Sequence, residues 1–102
     1  MRLEYYPVEK LKADILAILS KYLDLNQYRV FFFGSRVVGK GTDRSDIDVG
    51  IEGQSSVPRG VMGDIQEDIE ELPILYKIDV VDFSGVTDKF RRVAKQHIEY
   101  FA

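Results

Sequence analysis

The chain has 102 residues, 45% of them hydrophobic and 30% charged, with a net charge of −3 and no cysteine. That length suits a single domain spanning residues 1–102, and the charge argues against direct nucleic-acid binding. No stretch approaches the ~20 apolar residues of a membrane span, the first residues lack a signal peptide's apolar core, and thiolate chemistry is excluded, so a cytoplasmic setting is expected.

Pro7 suits a helix start, and Val8, Leu11, Ile15, Leu19 and Tyr22 recur at helical spacing. Leu23 to Tyr28 reads as a connection. Arg29 to Phe33 is rich in β-formers without a helical period and predicts a buried strand. Gly34 ends it, and Ser35 to Gly39 has room for one helical turn. Further on, Ile47, Val49 and Ile51 alternate with Asp46, Asp48, Gly50 and Glu52, a strand with one core face and one carboxylate face. Pro58 then opens a helix with Val61, Ile65, Ile69 and Leu72 inward, and Pro73 stops it. Its Asp64, Glu67, Asp68, Glu70 and Glu71 read as a solvated face. Tyr76 to Phe83 predicts a third strand. Ser84, Gly85 and Thr87 offer caps for a last helix, with Phe90, Val93, Ala94, His97, Ile98 and Phe101 as its apolar stripe. The order predicts an α/β (α+β) fold in two layers: a small mixed sheet with helices on one face and an open, carboxylate-bearing face.

The chemistry concentrates between Gly34 and Asp48. Asp46 and Asp48 lie on one strand face, roughly 6.6 Å apart along it, within reach of one metal ion or of two ions ~4 Å apart. Should the carboxylates converge to ~5 Å, their repulsion is about 3 kcal/mol at an effective dielectric near 20, and a cation reverses its sign. Oxygen ligands without His or Cys favour Mg²⁺ or Mn²⁺ over zinc. Gly34 lets backbone approach a phosphate, Ser35 offers a hydroxyl and an N–H, and the turn after them aims N–H groups at the same anion. Arg36 either adds charge there or forms a partly buried ion pair. Lys40, in a glycine-flanked loop, reads as solvated charge.

A third carboxylate is expected from the next strand. Asp79 and Asp82 point to opposite faces because their separation is odd, and periodicity alone does not choose between them. Two other motifs fail on inspection. Gly34 to Lys40 nearly spells a P-loop, but Gly41 stands where that loop needs Ser or Thr. Asp46-x-Asp48 lacks the closing glutamate and the register of a calcium loop. His97 reads as a packed or partner-facing residue.

On these residues the chain resembles the minimal nucleotidyltransferase (MNT) group of the DNA polymerase beta-like superfamily. Gly34-Ser35, ten residues, then Asp46-Ile47-Asp48 match its signature, and Ile78-Asp79-Val80-Val81 matches its third-acid strand. The resemblance implies transfer of a nucleoside monophosphate, most often AMP from ATP, to a hydroxyl, with Asp46, Asp48 and Asp79 holding two Mg²⁺ ions. Gly34, Ser35 and Arg36 would bind the nucleotide. It further implies a small helical HEPN partner encoded nearby, adenylylated on tyrosine, with this chain as the antitoxin of a toxin–antitoxin pair. The chain's length leaves no acceptor domain after Ala102, so the acceptor surface is expected from a partner or from self-association. The competing readings are a non-catalytic antitoxin that acts by contact and a small-molecule nucleotidyltransferase of the aminoglycoside-modifying kind.

Overall fold

The structure is a computed structural model, and it describes residues 1–37, 39 and 46–102. The readings of Lys40 and Gly41 lie outside the described residues. Among the described residues eight elements follow in chain order: α1 (Val8–Ser20), β1 (Tyr28–Phe33), β2 (Ile47–Gly53), α2 (Arg59–Glu70), β3 (Ile78–Asp82), a 3-10 turn (Phe83–Gly85), α3 (Asp88–Ala94) and β4 (Glu99–Tyr100). The strands form one mixed sheet in the order β3-β2-β1-β4, with β2 and β3 parallel and the other pairs antiparallel.

Pro7 and Pro58 sit at the N-caps of α1 and α2, where a missing N–H costs nothing. Both helices pack on one face of the sheet. Leu11, Ile15 and Leu19 of α1 and Ile65 and Ile69 of α2 meet Val30, Phe32, Val49, Ile51 and Ile78 there. Each of these side chains contributes on the order of 1.5–3 kcal/mol by leaving water. The predicted solvated face of α2 is exposed apart from Asp68. That carboxylate accepts from the Tyr22 hydroxyl at 2.6 Å and from Lys21 at 2.8 Å, tying α1 to α2.

The other face is divided. Its carboxylates lie on the β2–β3 side, while the β1 side beside them holds a cluster of Phe31, Phe33 and Phe83, with Ala94 of α3 and Ile98 packed against it. The rings meet edge to face, Phe83 lying 4.8 Å from Phe31 and 5.0 Å from Phe33. Gly50 makes room for them, because any Cβ there would strike Phe31 and Phe83. Thr87 caps α3 by accepting the Phe90 N–H at 3.1 Å.

The last helix is shorter than its apolar stripe predicts. It stops at Ala94, and His97, Ile98 and Phe101 lie beyond it. The tail pairs with β1 instead: Glu99 stands opposite Phe32 and Tyr100 opposite Phe31. Hydrogen bonds of 2.9 Å from Phe101 N–H to Val30 C=O and from Val30 N–H to Ala102 C=O extend the pairing. The outer edge of β1 would otherwise present unpaired backbone groups. Ile98 and Phe101 remain apolar contacts, now on opposite sheet faces: Phe101 stacks on Phe32 at 4.4 Å. The third strand is likewise narrower than predicted, with Tyr76, Lys77 and Phe83 outside it.

Candidate active site

Strand pairing brings the acidic residues together. Asp48 of β2 is the register partner of Asp79 of β3, so their side chains share a face on strands about 4.8 Å apart. Asp46, two residues before Asp48, joins that face, close enough for its carboxylate to raise the proton affinity of Asp79. On the other side of β2, Phe33 stands opposite Asp48. The end of β1 therefore delivers Gly34 to the same place.

Gly34 has φ +88°, a conformation that favours glycine, and its Cα lies so close to Asp48 that an added Cβ would collide with Oδ2. The chain then turns, Gly34 C=O accepting from Val37 N–H at 3.2 Å. Ser35 is left exposed at the edge of the acidic face. Arg36 goes elsewhere. It is 8% exposed, with its guanidinium 4.8 Å above the Tyr76 ring, so it braces the turn from the helical side of the sheet.

Asp82 is drawn into local structure on the opposite face. Its carboxylate accepts from Val57 N–H at 2.9 Å and from the N–H and hydroxyl of Ser84 at 3.0 and 2.8 Å. Asp79 is the carboxylate aligned with Asp48, and Asp82 is a cap. Asp79 is also braced from behind: Gln66 of α2 donates to Ile78 C=O at 2.9 Å and accepts from Val80 N–H at 3.1 Å, gripping both of its neighbours.

The electrostatics match this crowding. Burial lifts the Asp48 carboxyl to about 6, helped by the charges of Asp79 and Asp46. Asp79 is raised as well, by burial first and then by the Asp46 carboxylate. Lys77, exposed and 3.9 Å from Asp46, offsets part of the rise at Asp79. Among the described residues, no three acidic or imidazole side chains close into a ready cation cage. The donor set nonetheless fits a divalent cation. It offers only carboxylate oxygens on one face, and burial first, with the neighbouring carboxylates second, makes two of the groups hold protons more tightly than usual.

Beside the Gly34–Ser35 turn, α3 encloses a pocket of about 340 Å³. Phe33, Gly34 and Ser35 form one wall. Phe90, Val93 and Ala94 form the other, with Gln96 and His97 at its end. Glu52, on the same face of β2 as Asp46 and Asp48, holds that wall: it meets Lys95 at 2.6 Å and Arg91 at 3.3 Å, while Arg91 donates to Phe83 C=O at 2.6 Å. The sequence marks neither Glu52 nor the pocket, since both depend on where α3 folds back. The only signal was the extra carboxylate in the alternating strand.

A family model described as Polymerase beta, Nucleotidyltransferase matches residues 13–99. The Haemophilus influenzae protein named "Probable protein adenylyltransferase MntA" is 27% identical over 88 residues, covering 84% of this chain and 77% of that one. Among solved structures, a toxin–antitoxin complex with AMP-PNP aligns with a TM-score of 0.71 at 15% identity, over 87% of this chain and 70% of the other. A complex of a tri-AMPylated Shewanella oneidensis HEPN toxin with its MNT antitoxin aligns at 0.68 and 12% identity, over 90% and 69%. At those identities the likeness is one of fold.

Proposed function

The chain belongs to the polymerase beta nucleotidyltransferase family, and we propose that it moves AMP from ATP to a tyrosine hydroxyl of a HEPN-type toxin, acting as its antitoxin. The observation that carries this reading is the pairing of Asp48 with Asp79 directly beside Gly34. It sets an acidic face against a turn shaped for an anion. The names of the relatives support the acceptor: one is called a protein adenylyltransferase, and another is an antitoxin bound to an AMPylated toxin.

Asp46, Asp48 and Asp79 would hold Mg²⁺, two ions in the full reading. When bound, Mg²⁺ neutralises the triphosphate and acidifies the acceptor hydroxyl. The protein's own part is positioning. Gly34 lets the triphosphate approach the backbone, and Ser35 donates its hydroxyl and N–H to it. Asp79 stands on the edge strand of the sheet, where it would complete one metal site and help draw the proton from the attacking hydroxyl. The oxygen–phosphorus bond to the acceptor forms as the bond to pyrophosphate breaks, and pyrophosphate leaves on the Ser35 side.

The test is incubation with Mg²⁺, a HEPN-type partner and ATP labelled at either the α- or the γ-phosphate. Label is expected on the partner from the α-position only. Transfer from the γ-position identifies a kinase and overturns the proposal, and tight binding of the partner without transfer leaves a contact antitoxin. Asp48→Asn is expected to slow transfer at least about 10²-fold, comparable to losing one transition-state donor. A loss under about tenfold would remove its role as a metal ligand.

A further inference from the structure

An edge strand is held from one side only, and β3, which carries Asp79, is an edge strand. Ile47 N–H donates to Lys77 C=O at 2.8 Å, and Ile47 stands opposite Ile78. In a parallel pair that pattern turns the peptide groups of Lys77 and Asp79 toward β2 and those of Ile78 and Val80 away from it. The segment leading into the strand offers little grip of its own, since Leu75 is 92% exposed and the Lys77 side chain 71%. Asp79 is the second residue of a five-residue strand, so its place would rest on one row of parallel bonds.

Gln66 supplies a second row. Its Nε2 donates to Ile78 C=O at 2.9 Å and its Oε1 accepts from Val80 N–H at 3.1 Å, as a neighbouring strand would do. A carboxamide suits both bonds because it carries a donor and an acceptor on one planar group. The helix around it carries Asp64, Glu67, Asp68 and Glu70. A glutamate in place of Gln66 could accept from Val80 but would set a second acceptor against Ile78 C=O. The amide is half-buried, and its helix is anchored in the core through Ile65 and Ile69. We infer that Gln66 is a positioning residue of the acidic site: it takes the place of a fifth strand and fixes Asp79 level with Asp48 against the mutual repulsion of the three carboxylates. The inference rests on the nucleotidyl-transfer reading and adds what holds its third acid. A misplacement of about 1 Å can cost about 10²-fold in rate, so these two bonds bear on the chemistry although both go to backbone.

The competing account is that Gln66 only covers an open edge and keeps other strands off it. A double-mutant cycle of Gln66→Ala with Asp79→Asn separates the two, read on Mg²⁺ affinity by calorimetry and on single-turnover transfer of α-label to the partner. Gln66→Ala is expected to weaken Mg²⁺ and to slow transfer about tenfold each, as losing the support behind a metal ligand does. In the Asp79→Asn background the same substitution is expected to change neither quantity, because Gln66 acts through the carboxylate already removed. Gln66→Glu keeps the length of the side chain and is expected to slow transfer at least about threefold, with the same dependence on Asp79. Amide exchange at Val80 is expected to quicken at least about tenfold in Gln66→Ala. Additive losses overturn the inference, as do wild-type rates and Mg²⁺ affinity in both Gln66 variants, or unchanged exchange at Val80. Dimers of Gln66→Ala that keep the wild-type rate also overturn it and leave the edge-covering account. If the wild type transfers α-label while the cycle is additive, the assignment of Gln66 alone falls. A wild type that transfers only γ-label removes the parent reading, and the cycle on Mg²⁺ affinity still decides whether Gln66 places Asp79.

Discussion

Asp79 and Asp82 show how much one position can decide. Both lie on β3, three residues apart, and alternation sends them to opposite faces. That opposition was legible in the sequence. Which one joins Asp48 was not legible in the periodicity, although the family resemblance favoured Asp79; physically the answer lies in the β2–β3 register and in the Val57 and Ser84 groups that Asp82 accepts from. Their substitutions should therefore separate function from stability. Asp79→Asn is expected to cut turnover at least about 10²-fold with no loss of melting temperature, as it removes a carboxylate from a repulsive cluster. Asp82→Ala leaves the Val57 N–H without its acceptor and is expected to cost roughly 1–3 kcal/mol, with turnover per folded molecule unchanged. Thermal melts and single-turnover rates on the two variants check both halves. A stable, inactive Asp82→Ala would reverse the assignment.

At the level of elements, the short helix α3 links the sheet to the pocket, and Glu52 fixes where it lies. Its ion pairs with Arg91 and Lys95 are partly buried and close, so they constrain the helix more than free surface pairs do. Glu52→Gln is expected to raise the KM for nucleotide about three- to tenfold while kcat stays near wild type, because the substitution loosens the wall packed beside the Gly34–Ser35 turn and leaves the acids in place. Steady-state rates over a range of ATP concentrations read this directly. A fall in kcat at constant KM would instead mean that α3 supports the acids. This is also the region where sequence reasoning failed. Phe90, Val93, Ala94, His97, Ile98 and Phe101 do follow a helical period, but such short apolar runs do not separate a helix from a helix followed by a strand. The free edge of β1 made the choice, drawing Glu99 and Tyr100 into the sheet through contacts some seventy residues apart in the chain. The Asp46–Glu52 alternation was legible because both the core face and the carboxylate face of that strand are written locally.

For the molecule as a whole, the acidic face couples stability to pH and to metal. Asp48 titrates near 6 when folded, against an ordinary value of 3.8, so the folded protein keeps a proton that the unfolded chain has released. The stability this provides is complete below about 3.8 and is lost as pH rises through about 6. Asp79 acts in the same direction. Asp14, Asp68 and Glu99 are lowered instead, so their contributions are lost only as pH falls into the ordinary carboxylate range. Between pH 5 and 7.5 those three are ionised folded and unfolded alike, and the crowded acids dominate among the carboxylates. In EDTA the protein should therefore melt at a lower temperature at pH 7.5 than at pH 5. The difference is on the order of 1 kcal/mol or less once solvent screening of a partly exposed site is allowed for. If the ionised face takes Mg²⁺ as proposed, excess metal is expected to add about 2.7 kcal/mol at a hundred times its Kd, and its stabilising effect should grow across the same interval. Asp48→Asn should flatten both trends. Melting temperatures that rise with pH in EDTA, or a Mg²⁺ effect independent of pH, would mean that these aspartates neither repel one another nor gather a cation.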